Sequence, residues 1–272
     1  MSRLGSRLDA LRAGKRTALV AYLVAGDPSA TATVKLMHAL VEGGADVIEV
    51  GVPFTDPVAD GPVIQAACER ALRAGTRLRD VFEIVREFRR RDAKTPVVLM
   101  GYLNPLEAVG YATFAQQASA AGADGLLIVD LPAEEGGELE NILRDHDLER
   151  VCLVAPTTSD ARLARICRSA TGFVYYVSLK GVTGAGNIDA NGMQERLARI
   201  RALTDRPVGI GFGITDASTA VRLAQIADAV IVGSMLVRHI ARHGDDAAGV
   251  IRAATAEIRQ ALDLNAVDQR LQ

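Results

Sequence analysis

Glu49 stands inside the apolar run Asp46-Val47-Ile48-Glu49-Val50-Gly51, and eleven positions later a second carboxylate, Asp60, falls in the segment PFTDPVADGP. An ionisable side chain in a β-like apolar run is costly to bury alone, so it marks either a paired structural charge or a site of proton chemistry. Strand alternation puts Glu49 on one face with Val47 and Gly51, opposite Ile48 and Val50. No Lys or Arg occupies a matching inward position on another β-like run, which favours proton chemistry over a buried ion pair. Apolar walls would raise the Glu49 pKa and let one carboxyl group give and take a proton near neutrality. Asp60 is either a plain turn residue or the ionised member of a carboxylate pair with divided roles.

A second constellation carries glycines instead of acids: Gly181-Val182-Thr183-Gly184-Ala185-Gly186, then Gly211-Phe212-Gly213, then Gly233-Ser234. Glycines at successive strand ends let backbone N–H groups converge, and a helix starting at Ser234 adds its positive end, so the three segments suit a phosphate group. Tyr22, Tyr102, Leu127, Val129, Tyr175 and Phe212 fall at strand ends, where they either fill a core or wall an apolar pocket. Asp56 sits in a Thr-Asp-Pro turn, as a turn former or as part of an acidic loop that meets a partner. His239 and His243 are four apart without further ligands, and no Walker or Rossmann fingerprint is present, so neither a metal nor a nucleotide is demanded.

Side chains so scattered along the chain need a scaffold that gathers them. Eight β-like apolar runs occur, Ala18–Val24, Asp46–Gly51, Pro96–Tyr102, Gly125–Asp130, Val151–Ala155, Phe173–Ser178, Pro207–Phe212 and Ala229–Gly233. Amphipathic stretches alternate with them, at Ala32–Glu42, Leu78–Arg91, Tyr111–Ala121, Glu134–Asp145, Ala161–Ala170, Met193–Leu203, Ala217–Ile226 and Ala247–Leu262. This alternation predicts an α/β fold, a (β/α)8 TIM barrel, with an open doubly wound sheet as the competing topology. Leu4, Leu8 and Leu11 predict an extra N-terminal helix covering one end. No linker or change of composition divides the chain, so residues 1–272 are expected to form a single domain. In such barrels the active site lies where the βα loops leave the strands, which directs attention to Val52–Val63 and Leu179–Gly192.

Of the 272 residues, 49% are hydrophobic and 24% charged, which is a globular composition. A net charge of -2 argues against nucleic-acid or anionic-membrane binding through overall charge and points to a small-molecule ligand. Cys68, Cys152 and Cys167 form no close pair, no apolar stretch reaches the roughly 20 residues that span a bilayer, and a cytoplasmic location is expected.

The blocks VIEVGVPFTDPVADGPVIQ, VDLPAEE, APTTS, SLKGVTGAG and the GFGI and VGS glycines together resemble the tryptophan synthase alpha chain family over nearly the whole sequence. That resemblance implies aldol-type cleavage of indole-3-glycerol phosphate to indole and glyceraldehyde 3-phosphate, with no metal or organic cofactor in this subunit. It implies catalytic roles for Glu49 and Asp60, phosphate binding by Gly184, Gly213, Gly233 and Ser234, and an indole pocket and lid of Tyr22, Leu127, Tyr175, Thr183 and Phe212. It also implies a pyridoxal-phosphate β subunit as partner in an α2β2 heterotetramer, contacted through Pro53, Asp56, Pro57, Asn104 and Pro105. Leu179-Lys180 stands where many relatives carry an arginine, which bears on lid contacts. Two other readings follow from the residues: a regulatory barrel subunit with little activity of its own, and another phosphate-sugar enzyme of the same fold.

Overall fold

The computed structural model describes residues 2–177, 190–211 and 213–271. The elements are α1 (Arg3–Ala13), β1 (Ala18–Val24), α2 (Ala30–Glu42), β2 (Val47–Gly51), α3 (Pro62–Arg73), α4 (Leu78–Arg89) and β3 (Val97–Gly101). There follow α5 (Leu103–Val109), α6 (Tyr111–Ala121), β4 (Gly125–Ile128), α7 (Gly137–Asp145), β5 (Glu149–Val154), α8 (Asp160–Ser169) and β6 (Val174–Val177). The chain ends with α9 (Ala190–Arg201), β7 (Val208–Gly211), α10 (Ala217–Ala224), β8 (Ala229–Val232), α11 (Ser234–His243) and α12 (Ala247–Leu271).

The strands pair in parallel in sequence order and β8 returns to β1, so the sheet is a closed barrel and the open-sheet alternative falls away. Its two faces bury different sets of residues. Ile48 and Val50 join Leu36, Leu40, Val81 and Val85 in the layer between strands and helices. Val20, Val47, Val98, Leu127, Val151, Phe173 and Ile231 fill the barrel interior, together with Leu4, Leu8 and Leu11 of α1. The N-terminal helix therefore closes the interior from one end, because its leucine stripe has no other apolar surface to cover.

A repeated device holds that end. Asp46, Asp124 and Asp228 each directly precede a strand, and each accepts a 2.8 Å hydrogen bond from a backbone N–H at or near the start of the preceding one, Leu19, Val97 and Val208. Asp46 is held as well by Arg7 and Arg259, and Asp124 by Arg3 and Arg89, which offsets the cost of burying the two carboxylates.

The expected strands are present, β1 with the expected bounds, β5 starting two residues earlier and the others slightly shorter among the described residues, but two helices were not expected. α3 begins with Pro62 directly after Asp60-Gly61, a position where the missing proline N–H costs nothing, and α5 follows β3. The predicted Glu134–Asp145 helix is broken near Gly136 into a 3-10 turn at Ala133–Glu135 and α7. The last helix extends past Leu262 to Leu271, since no Gly or Pro interrupts that stretch.

Candidate active site

Glu49 lies in the middle of β2 in register with Tyr22 of β1 and Val98 of β3, both of which face the barrel interior or its mouth. Its side chain is 1% exposed, and Oε1 has no hydrogen-bond partner among the described residues. Burial, followed by the nearby charge of Asp60, pushes its pKa up from 4.5 to about 8. A carboxyl group in that condition is held protonated at neutral pH and stands ready to transfer the proton.

Asp60 comes to the same place from the loop after β2. Tyr102, at the end of β3, donates a 2.9 Å hydrogen bond to Asp60 Oδ2, while the Tyr102 hydroxyl accepts one of 3.0 Å from the Ala59 N–H. Burial raises the Asp60 pKa and the Tyr102 bond opposes that rise, so the tyrosine favours the ionised carboxylate. Gln65 Nε2 donates to the carbonyls of Asp60 and Pro57, and Phe54 stacks on Tyr102 at 5.2 Å. The short loop is thereby tied both to α3 and to the end of β3.

A cavity of about 270 Å³ opens beside these groups, lined by Tyr22, Glu49, Asp60, Tyr175, Gly213, Gly233, Ser234 and Arg238 among others. It adjoins a second cavity of about 500 Å³, lined by Leu127, Val129, Leu153 and Val177, with Asp60, Met100 and Tyr175 common to both. Asp60 thus meets both an apolar chamber and a glycine-lined one, whereas Glu49 meets the glycine-lined one. Tyr22 and Tyr175 are buried, and burial with nearby carboxylates raises their pKa values well above 10, so both remain neutral phenols. Each phenol tip rests on a glycine of the next strand: a Cβ at Gly51 would lie 2.3 Å from Tyr22 Oη, and one at Gly211 would lie 2.0 Å from Tyr175 Oη.

Gly213 has φ of 73°, in the left-handed region that a side chain disfavours. Gly233 precedes the first turn of α11 and gives it no side-chain cap, and Gly233 and the exposed Ser234 both line the cavity at this helix start. Thr183, Gly184 and Phe212, like Leu179 and Lys180, lie outside the described residues. Of the residues expected at a partner face, Asp56 and Asn104 are exposed, Pro57 and Pro105 partly so, and Pro53 is buried at the base of the loop.

Several contributors were not singled out from sequence. From the sequence Tyr102 reads as core filling or as a pocket wall, although a tyrosine at a strand end carries a polar tip that seeks a partner. Gln65 and Arg238 lie on helices whose place beside the mouth became apparent only in three dimensions. His239 and His243 stack at 6.4 Å on α11, and among the described residues no group of three His, Cys, Asp or Glu is arranged to hold a metal ion.

Comparison with known proteins agrees with this geometry. The family model for the tryptophan synthase alpha chain matches residues 8–265. The chain is 58% identical over 266 residues to the tryptophan synthase alpha chain of Thioalkalivibrio sulfidiphilus, covering 97% of this chain and 100% of that one. Tryptophan synthase subunit alpha of Legionella pneumophila superposes with a TM-score of 0.91 at 42% identity, covering 97% of this chain and 99% of that one. A chain from the tryptophan synthase α2β2 complex of Pyrococcus furiosus gives 0.84 at 41% identity, covering 89% of this chain and 98% of that one.

Proposed function

The chain belongs to the tryptophan synthase alpha chain family, and we propose from that premise that Glu49 and Asp60 carry the carbon–carbon cleavage it performs. The reaction is the lysis of indole-3-glycerol phosphate to indole and glyceraldehyde 3-phosphate in tryptophan biosynthesis, and the partner is the tryptophan synthase β subunit.

Cleavage between the indole ring and the glycerol chain requires C3 of the ring to be protonated and the neighbouring glycerol hydroxyl to lose its proton. Glu49, protonated at the start, gives its proton to C3. This generates a positively charged indolenine N–H that the Asp60 carboxylate stabilises. The carboxylate left on Glu49 then takes the hydroxyl proton as the C–C bond breaks, the aldehyde forms and indole leaves with the bonding electrons. Glu49 ends protonated, so the cycle closes. The chambers suit the two halves of the substrate: Tyr22, Leu127 and Tyr175 enclose the ring, and the amides around Gly213, Gly233 and Ser234 hold the phosphate. Thr183, Gly184 and Phe212 are assigned to the lid, phosphate and ring by the same reading.

The single observation that carries this reading is the buried Glu49 carboxyl, its Oε1 without a partner among the described residues and its pKa raised to about 8, beside a second carboxylate. This chain contributes acid–base and electrostatic groups, while the pyridoxal phosphate of the complex belongs to the β subunit. The contact face comprises Asp56, Pro57, Asn104 and Pro105, with Pro53 supporting it from below; Val58, 84% exposed between them, adds an apolar surface. Residues 1–272 act as one domain, supported by an apolar cluster running from Leu19 to Leu262. No described helix is long and apolar enough to cross a membrane, which fits the cytoplasmic location we assign.

The test is indole release from indole-3-glycerol phosphate, with and without a β subunit, by wild-type protein and Glu49→Gln. Release should fall by at least about a thousandfold in the variant. Unchanged release would remove Glu49 from the mechanism, and a loss confined to the partner's rate would favour a regulatory subunit.

A further inference from the structure

Three charged side chains line the 270 Å³ cavity among the described residues: the acids Glu49 and Asp60, and one cation, Arg238. They reach it from different elements. The acids belong to β2 and the loop after it, Tyr22 of β1 lies between, and Arg238 is on α11, which follows β8 on the far side of β1. Arg238 stands four positions after Ser234, so the two share one face of α11 a turn apart.

Arginines that are partly or fully buried elsewhere in this barrel are paired: Arg70 with Asp27, Arg89 with Asp124, Arg259 with Asp46. Arg238 is also partly buried, yet it has no ion pair or hydrogen bond among the described residues. A guanidinium held at a cavity wall without a carboxylate is a site for a mobile anion, and its planar fork matches phosphate oxygens.

We propose that Arg238 is a phosphate-recognition residue of this site, completing with a formal positive charge the amide cradle of Gly213, Gly233 and Ser234. The inference rests on the functional reading above and deepens it. Neutral amides orient a phosphate, whereas the guanidinium makes the α11 side of the cavity prefer an anion over a bare hydroxyl. With both acids on β2 and its following loop and the cation on α11, the separation of charge also sets which way round the substrate enters. Because the phosphate stays unchanged during cleavage, the interaction acts equally on ground and transition states and appears in KM.

The experiment compares wild-type protein, Arg238→Met and Arg238→Lys, each checked for folding by circular dichroism. Calorimetric titration with glyceraldehyde 3-phosphate and, separately, with indole is combined with steady-state kinetics on indole-3-glycerol phosphate. Arg238→Met should weaken the phosphate ligand and raise KM about tenfold, with kcat within about twofold and indole binding unchanged. Arg238→Lys should recover part of the loss by restoring charge without the fork. Unchanged glyceraldehyde 3-phosphate affinity in Arg238→Met, or an equal loss for indole, overturns the role of Arg238 alone. Wild-type protein that fails to bind glyceraldehyde 3-phosphate overturns the cradle reading and this inference with it.

Discussion

The hydroxyl of Tyr102 donates to Asp60 Oδ2 at 2.9 Å, linking the end of β3 to the carboxylate delivered by the loop after β2. This bond favours the ionised form of Asp60, which burial works against. Tyr102→Phe should therefore lower kcat about tenfold. Asp60 is needed ionised, so activity is lost as pH falls through its pKa, and without the donor that limb of the pH–rate profile should move to higher pH. An unmoved limb would show that Tyr102 only fills space.

Glu49 predicts an alkaline limit. Its protonated form begins the reaction, so kcat/KM should hold below about pH 8 and decline above it. Steady-state rates between pH 6 and about pH 10 check this directly, and a flat profile across that span contradicts the assignment.

The same shift bears on stability with a definite sign. Between the ordinary value of 4.5 and about 8, the folded chain keeps the Glu49 proton that the unfolded chain has lost. Stability is thus eroded as pH rises across that window, by at most about 1.4 kcal/mol per pH unit. Glu49→Gln removes the titration, so its melting temperature should gain on wild type steadily from pH 5 to about pH 8. Parallel melting curves for the two proteins would count against the raised pKa.

Gly51 and Tyr22 form a close pair, since a Cβ at Gly51 would sit 2.3 Å from the phenol oxygen and 2.9 Å from Cζ. Gly51→Ala should cost about 2 kcal/mol through overpacking. Adding Tyr22→Phe removes the worst contact and should return part of that loss, giving a coupling of about 1 kcal/mol in a double-mutant cycle by chemical denaturation. Simple additivity would mean that the backbone moves to relieve the clash.

Asp27 and Arg70 make a bidentate pair at 2.8 and 2.7 Å that ties the loop after β1 to α3, the helix that starts just after Asp60. Arg70→Met leaves the 1% exposed Asp27 carboxylate unpaired, for an expected loss of about 3 kcal/mol in urea unfolding. A change below about 0.5 kcal/mol would show that water or a neighbour replaces the guanidinium.

How much of this could be read beforehand differs from residue to residue. The inward direction of Glu49 follows from strand alternation alone, because a period of two assigns faces once Ile48 and Val50 are taken as outward. The barrel follows from eight alternations of strand and helix, and the leucine spacing at positions 4, 8 and 11 announces the helix that closes one end. These are local, periodic signals, and the family motifs add the identity of the site. Hidden from the sequence were α3 and α5, the break near Gly136, and the contacts made across the mouth. The bond between Tyr102 and Asp60 joins residues 42 apart, and Arg238 meets Glu49 at one cavity only because closure of the sheet brings β8 back beside β1. The chain alone determined which side chains could transfer a proton and which face they occupy. Only the closed tertiary structure decided how far burial raises Glu49, what steadies Asp60 and where Arg238 stands, because dielectric surroundings and partners distant in sequence exist only once the barrel has formed.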